Sequence, residues 1–337
     1  MTGRHLIARI EDRLDRLVNI DIGERGVEPL FTAARDLQGG SLVGAAAEAL
    51  MAVPMGGTVV ITTGSVSRAW ITPELGENDG PSGAALIARA LVLERNAACI
   101  VLCEDTLTPA IRAVMVAAGL FPVSLDQARI AQKDRSLATV VMMSYPTTDE
   151  EGRAAAPAML DSLAPDLLFS TERVGRNDRG IYHSMRGIDY GMGRARIDFL
   201  FDEALLRGIP VVAVGDGGNE IGMGKVADHV RVHVPFGDKC QCGCGGGIGA
   251  TTGCGVLVTA ACSNWGCTAI VAAIAARSGN SKLIHTPEAE ARLLDAMVAA
   301  GLINSTHGII DDAVDGFPRS THLGMATLCQ TIASSAL

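Results

Sequence analysis

Val211-Val212-Ala213-Val214-Gly215-Asp216-Gly217-Gly218-Asn219-Glu220-Ile221-Gly222-Met223-Gly224 joins an apolar run to a glycine-rich polar loop. The apolar half has the length and β-branched content of a strand buried on both faces. The glycines let the backbone turn sharply and approach a ligand closely. Asp216, Asn219 and Glu220 then stand at the C-terminal end of a strand, where open α/β sheets place their chemistry. Taken alone, the stretch reads equally as a tight strand-to-helix turn with solvated acids.

Working outward, apolar runs alternate with helical periodicities. Strands are expected at Thr58–Gly64, Ala98–Cys103, Thr139–Ser144, Asp166–Ser170 and Gly255–Cys262. Helices are expected over Leu6–Val18, Ser41–Val53, Ala84–Glu94, Thr108–Ala118, Glu150–Leu163, Arg194–Arg207 and Thr268–Arg277. Pro81 suits the first turn of the third of these helices, with Asp79 or Gly80 as its cap. The alternation predicts an α/β fold: a mostly parallel sheet flanked by helices, three-layered and Rossmann-like. The chain is expected to form a single large domain over 1–337, with an N-terminal helical segment over 1–56 and a C-terminal helical lobe over 287–337.

The chain has 337 residues, 48% of them hydrophobic, enough for a large core. Its net charge of −9, without a Lys/Arg run, argues against nucleic-acid and anionic-membrane partners. No apolar run has transmembrane length, and the charged N-terminus lacks a signal-peptide core. Nine cysteines without such a signal point to a reducing compartment, with the cytoplasm as the default. A homo-oligomer is left open.

The common cofactor motifs fail. Glu220 and Arg196 stand where the third glycine of G-x-G-x-x-G should be, and Val226 follows Lys225 where a Walker A loop needs Ser or Thr. No organic cofactor is expected. Cys240, Cys242 and Cys244, with Cys254 ten residues on, offer soft ligands for zinc or an iron–sulfur cluster. The spacing is not that of a standard zinc knuckle, so inert loop cysteines are the favoured reading. His229 and His233 are expected on one side of a strand as structural histidines.

Polar tips remain at Thr62-Thr63-Gly64, at Glu77 to Gly83, at Glu172-Arg173 with Arg176, and at Asp216 to Glu220. Together they suggest one convergent site, rich in carboxylates, arginines and backbone donors, for a small anionic substrate.

Several of these segments carry a family resemblance. Glu77-Asn78-Asp79-Gly80-Pro81-x-Gly83-Ala84 resembles the E-T-D-G-P-P-G-A segment of the D-glutamate cyclase family. Glu172-Arg173-x-Gly175, Gly180-x-Tyr182 and Met185-Arg186 resemble its E-R-x-G, G-x-Y and M-R motifs. Val214 to Val226 is similar to V-G-D-G-G-N-E-L-G-M-G-K-V almost throughout. Ser263-Asn264-Trp265-Gly266, Val314-Asp315-Gly316 and Thr321-His322 extend the similarity from about Thr58 to the C-terminus. The chain resembles the C-terminal, cyclase-like part of a mitochondrial protein of animals, which makes the mitochondrial matrix the alternative compartment.

The resemblance implies a hydro-lyase that dehydrates D-glutamate to 5-oxo-D-proline. Residue chemistry then suggests Asp216 or Glu220 as base or as ligand of a divalent cation (Mg or Mn), with Asp79 as second acid. Arg173, Arg176 or Arg186 would clamp a carboxylate. The amides of Gly80, Gly83, Gly217 and Gly218 would donate to it. Thr63, Glu172, Tyr182, Asn219, Ser263 and Asn264 complete the expected substrate contacts. Cys254-Gly255 stand where the family carries an Ala-Asp pair, and the run from Cys240 to Gly249 also departs from its pattern. A lactam-forming or lactam-opening enzyme on another small amino acid therefore remains an alternative, as does a non-catalytic metabolite-binding protein.

Overall fold

A computed structural model describes residues 3–337. Helices α1 (Gly3–Val18), α2 (Val27–Gln38) and α3 (Leu42–Met51) precede the first strand, β1 (Thr58–Thr62). Then come α4 (Pro81–Arg95), β2 (Ala98–Cys103), α5 (Thr108–Ala117), β3 (Phe121–Val123), α6 (Leu125–Asp134) and β4 (Thr139–Ser144). These are followed by α7 (Asp149–Leu163), β5 (Leu167–Thr171), α8 (Asp198–Leu206), β6 (Val211–Gly215) and α9 (Ala227–His233). The chain continues through β7 (Val256–Thr259), α10 (Ser263–Ser278), α11 (Pro287–Ala299) and α12 (Arg319–Ala333).

The seven strands form one sheet in the order β3-β4-β2-β1-β5-β6-β7, and every pairing is parallel. Strand alternation divides the interior into two layers. Val59 and Ile61 face one core, together with α3, α4 and α10, while Val60 faces the other, with α7 and α8. The expected three-layer α/β architecture is therefore present. From β1 the chain builds toward β3 on one side, and from β5 toward β7 on the other. The β1–β5 boundary is a topological switch point, where a crevice opens at the C-terminal ends of the strands.

Helix α10 is the hub of one face. All but its last two residues are buried, and α1, α3, α4 and α12 pack around it. Trp265 at its start donates from Nε1 to Nδ1 of His322 in α12 (2.9 Å), which ties the C-terminal helices to the strand ends. Ser263-Asn264-Trp265-Gly266 thus form the first turn of this helix rather than a loop before it. Gly266 sits where a Cβ would approach Val214 of β6 to 2.6 Å.

Other elements differ from the sequence expectation. The β3 and α6 pair had no signal, because β3 is short, half exposed and contains Pro122. The polar composition of α6 gave little apolar periodicity, but Ser124 and Gln127 close a capping box at its start. Helix α8 begins at Asp198 rather than Arg194, because the preceding residues serve the sheet end: the Ala195 amide donates to Glu104 and its carbonyl accepts from Arg173. His229 and His233 lie on α9, not on a strand. Alternating Val230, Val232 and Val234 imitate a strand, while the four-residue spacing stacks the two rings on one helix face at 6.0 Å. Among the described residues no helix is long and apolar enough to cross a membrane.

The loop after β6 depends on Gly222, whose φ is +102° and whose added Cβ would stand 2.2 Å from the Cβ of Ala213. Gly222→Ala should therefore cost more than the ~1 kcal/mol of an ordinary backbone penalty. Chemical denaturation is expected to show a loss of several kcal/mol; wild-type stability would contradict this packing.

Candidate active site

Four segments bring carboxylates to the switch point. Asp79 precedes α4, Glu172 follows β5, Asp216 follows β6, and Asp315 comes from the loop before α12. One carboxylate oxygen from each of Asp79, Glu172 and Asp216 lies within 4.8 Å of the other two, and Asp79, Cys262 and Asp315 form a second such group.

Two helix N-termini hold these acids in place. The Gly80 amide at the start of α4 donates to Asp79 Oδ1 (2.8 Å). At the start of α10, the Ser263 amide donates to Asp216 Oδ2 (3.2 Å) and the Asn264 amide to Asp79 Oδ1 (3.4 Å). Ser263 Oγ donates to Glu172 Oε2 (2.6 Å). Helix N-termini favour negative charge, which partly offsets the cost of gathering acids here. The backbone is also constrained. Glu172 and Asp315 adopt left-handed φ values of 56° and 55°, a sparsely occupied region for side-chain-bearing residues that clusters at functional sites. Gly80, at φ +96°, leaves no room for a Cβ, which would meet Thr63 Oγ1 at 2.6 Å.

Burial disfavours the charged forms, and each acid repels the next. Desolvation, then Asp315, pushes the Asp79 carboxyl up to about 8. Desolvation, then Asp79, holds Glu172 well above the ordinary carboxylate range. Asp216 is raised in the same way, by desolvation and then Glu172. Desolvation also raises Asp315 to about 6, although its ion pair with Arg25 opposes the rise. At neutral pH the cluster therefore retains protons and holds neutral carboxyl groups beside ionised ones.

A cavity of about 410 Å³ opens over this cluster, within the range of small-molecule sites. Glu172, Asp216, Asn219 and Glu220 line its polar floor, and Arg25, Arg68, Arg186 and Arg194 contribute to its walls. Arg25 is paired with Asp315. Among the described residues, Arg68, Arg186 and Arg194 have no carboxylate within ion-pair distance. The cavity thus combines a proton-holding acid floor with walls that carry arginines beside Glu24 and Glu77.

Several expected site residues have other roles. Both oxygens of Glu220 are engaged by the amides of Asp216 (2.9 Å), Gly217 (2.7 Å) and Gly218 (2.6 Å). Glu220 therefore shapes the loop, and the Gly217 and Gly218 amides serve it rather than a substrate. Arg173 is fully buried and grips Glu104 through both terminal nitrogens (3.0 and 2.7 Å), so it is no clamp. Arg176 pairs with Asp198 and Asp202, and the Tyr182 hydroxyl donates to Asp198 (2.6 Å). These residues brace the cavity wall and do not line it. Gly83 donates to Asn264 Oδ1 (2.9 Å). Thr63 Oγ1 and Asn264 Nδ2 are buried beside the acids without a partner. Asn219 lines the cavity while its Nδ2 donates to the His183 carbonyl (2.7 Å).

Sequence reasoning did not single out Arg25, Arg68 or Arg194 as site residues. Arg25 lies before α2, in a helical segment with no motif to mark it. Glu77 opened one of the expected polar tips without a role of its own, and Asp315 was visible only as a motif letter. The departure at Cys254-Gly255 falls before β7, at the opposite end of that strand from the acids, so it removes no group from this site.

The thiols form a separate group. Cys240, Cys242 and Cys244 gather with His183, one donor atom from each lying within 4.8 Å of the others. Cys254 is not part of the group; its thiol donates to the Gly222 carbonyl (3.5 Å). His183 takes the place that sequence spacing had given to Cys254.

These features define a parallel α/β protein with a carboxyl-rich small-molecule site at its switch point. The chain belongs to the D-glutamate cyclase-like, C-terminal family, whose model matches residues 14–328. The match begins well before Thr58, where the motif resemblance starts, and so includes the segment that carries Arg25. The chain is also 31% identical over 269 residues to the human protein named D-glutamate cyclase, mitochondrial. That alignment covers 77% of this chain and 38% of the human protein, so the chain spans well under half of that relative's length.

The raised Asp79 pKa has a signed consequence for stability. The folded state keeps a proton that the unfolded chain releases near its ordinary value of about 4. This contribution is complete below that pH and is lost as pH rises through about 8. Asp79→Asn should therefore melt above wild type at pH 8, with the advantage shrinking toward pH 5. Melting curves showing the advantage growing on acidification would contradict the raised pKa.

Proposed function

We propose that this chain closes D-glutamate to 5-oxo-D-proline with loss of water. The observation that carries the reading is the closely set, proton-retaining trio of Asp79, Glu172 and Asp216 at the floor of a cavity with arginines in its walls. The substrate is a small amino acid with two carboxylates, matching the wall arginines Arg68, Arg186 and Arg194 and the cavity size. The family and the name of the human relative point to the same chemistry.

The proton balance suits the trio. Ring closure forms an N–C bond to the γ-carboxyl carbon and breaks a C–O bond. The ammonium nitrogen gives up two protons, and the departing oxygen leaves as water with two. An ionised member of the trio takes a proton from nitrogen, and a neutral member delivers one to oxygen. Glu172 and Asp216 line the cavity and are the groups assigned to touch substrate; Asp79 behind them shares their proton. Arg68 and Arg186 on the wall would receive the α-carboxylate. Folding the substrate so that its amine meets its own γ-carboxyl removes much of the entropic barrier.

A second reading concerns a divalent cation, Mg or Mn. The trio of oxygens within 4.8 Å is where one would sit, with Asp79, Glu172 and Asp216 as ligands in place of the Asp216 and Glu220 pair. The cytoplasm or the mitochondrial matrix is the proposed compartment.

Incubating the purified protein with D-glutamate and with 5-oxo-D-proline, with and without Mg or Mn, and following both by chiral chromatography tests the reaction. Interconversion is expected, and its absence under every condition overturns the proposal. Thermal stabilisation by either compound without turnover would favour a metabolite-binding protein. Abolition of turnover by a chelator, restored by Mg or Mn, would favour the metal reading. Asp216→Asn is expected to lower kcat by at least ~10²-fold while leaving the melting temperature at or above that of wild type.

A further inference from the structure

The cysteine-rich loop lies outside the acid cluster, and no part of the proposed reaction uses it. Its geometry is nonetheless specific. Cys240 Sγ is 3.2 Å from Cys242 Sγ and 3.4 Å from Cys244 Sγ. His183 Nε2 is 3.2 Å from Cys242 Sγ and 3.8 Å from Cys244 Sγ. All three thiols are free of disulfides. A tetrahedral zinc ion with three sulfur ligands and one nitrogen would set sulfurs about 3.8 Å apart and sulfur–nitrogen pairs about 3.5 Å apart. The four separations above lie within about 0.6 Å of those values, and all four donor atoms lie within 4.8 Å of one another.

We propose that His183, Cys240, Cys242 and Cys244 bind one structural zinc ion, which clasps the cysteine loop to the wall of the substrate cavity. The chemistry of the set favours zinc. Three thiolates and an imidazole form a closed tetrahedral shell with no position left for a substrate, as in structural zinc sites. The sulfur-rich set is too soft for Mg or Mn. Iron–sulfur clusters are held mostly by four cysteines, and the remaining loop candidate, Cys254, is bonded elsewhere.

The surroundings are built around these ligands. Gly243 and Gly245 alternate with the cysteines at φ values of 82° and 81°, which lets the chain curl its thiols inward. Asn177 Nδ2 donates to Cys244 Sγ (3.6 Å) and to the Gly247 carbonyl (2.8 Å), the kind of outer contact that orients a thiolate ligand. The Cys240 amide closes the loop on the Gly246 carbonyl (2.8 Å). His183 is fully buried, with Nε2 turned toward the thiols.

The site also connects to the cavity. The His183 carbonyl accepts from Asn219 of the glycine loop (2.7 Å), and the Gly187 carbonyl accepts from the Gln241 amide (2.7 Å). Between those two points lie Ser184, Met185 and Arg186, all of which line the cavity. An ion at His183 would therefore fix the strip of wall that presents Arg186. This functional link rests on the proposed reading of the cavity; the zinc assignment itself does not.

Metal analysis of protein purified under reducing conditions, or reconstituted with zinc alone, tests the site. About one zinc per chain is expected, with an X-ray absorption shell of three sulfurs and one nitrogen. The double variant Cys240→Ser/Cys244→Ser should hold less than about a tenth of an equivalent. Hydrogen exchange should then speed up in 182–187 and 236–250 while strands β1, β5 and β6 keep their protection. If that variant fails to fold, stripping zinc from wild type with a chelator and adding it back supplies the same comparison. Zinc below a tenth of an equivalent in reconstituted wild type, iron in its place, or full zinc in the double variant would overturn the proposal. Loss of zinc and exchange protection with no change in binding of D-glutamate or 5-oxo-D-proline would overturn the link to the cavity alone.

Discussion

Mutual repulsion among buried carboxylates is the constraint around which this molecule is arranged. Asp79, Glu172 and Asp216 cannot all ionise within 4.8 Å of one another at the floor of a cavity where burial has stripped most of their water. The fold brings them together all the same, by placing them at the C-terminal ends of parallel strands and pinning them with the amide ends of α4 and α10. Two of the cluster's acids have neighbours that limit the strain: Ser263 donates to Glu172, and Arg25 pairs with Asp315. What cannot be neutralised by these partners is relieved by keeping protons.

That arrangement costs stability and supplies chemistry. Groups that hold protons at neutral pH can both give and accept them, as a dehydration that moves protons from nitrogen to oxygen requires. The surrounding ion pairs have a different task. Arg173 with Glu104, and Arg176 with Asp198 and Asp202, are buried or half-buried and serve to brace loops. Glu220 collects three amides and sets the course of the glycine loop, so that Asp216 points at its fellow acids.

The sheet was readable from sequence because buried parallel strands are short apolar runs, as Val59-Val60-Ile61 and Val211 to Val214 show. β3 was not, because Pro122 and an exposed edge erase that signature. Asp79, Glu172 and Asp216 could be singled out because each closes or follows a recognisable motif. Their division of labour could not, since Glu220 and Asp216 differ only in which backbone amides reach them. Arg25, Arg68 and Arg194 come to the cavity by tertiary packing and have no local pattern. His183 joins Cys240, Cys242 and Cys244 across some sixty residues of sequence, a distance no spacing rule spans. Cys254, close in sequence, was the natural but incorrect fourth member.

An acid cluster that holds protons at neutral pH should use them on a ligand in the cavity. Infrared difference spectroscopy measures this directly, since a protonated carboxyl has a carbonyl stretch distinct from that of a carboxylate. At pH 7 wild type should show such a band, diminished in Asp216→Asn, which shifts when 5-oxo-D-proline is added. A spectrum with only ionised carboxylates at pH 7, or a band indifferent to the ligand, would show that the cluster neither stores protons nor meets the ligand.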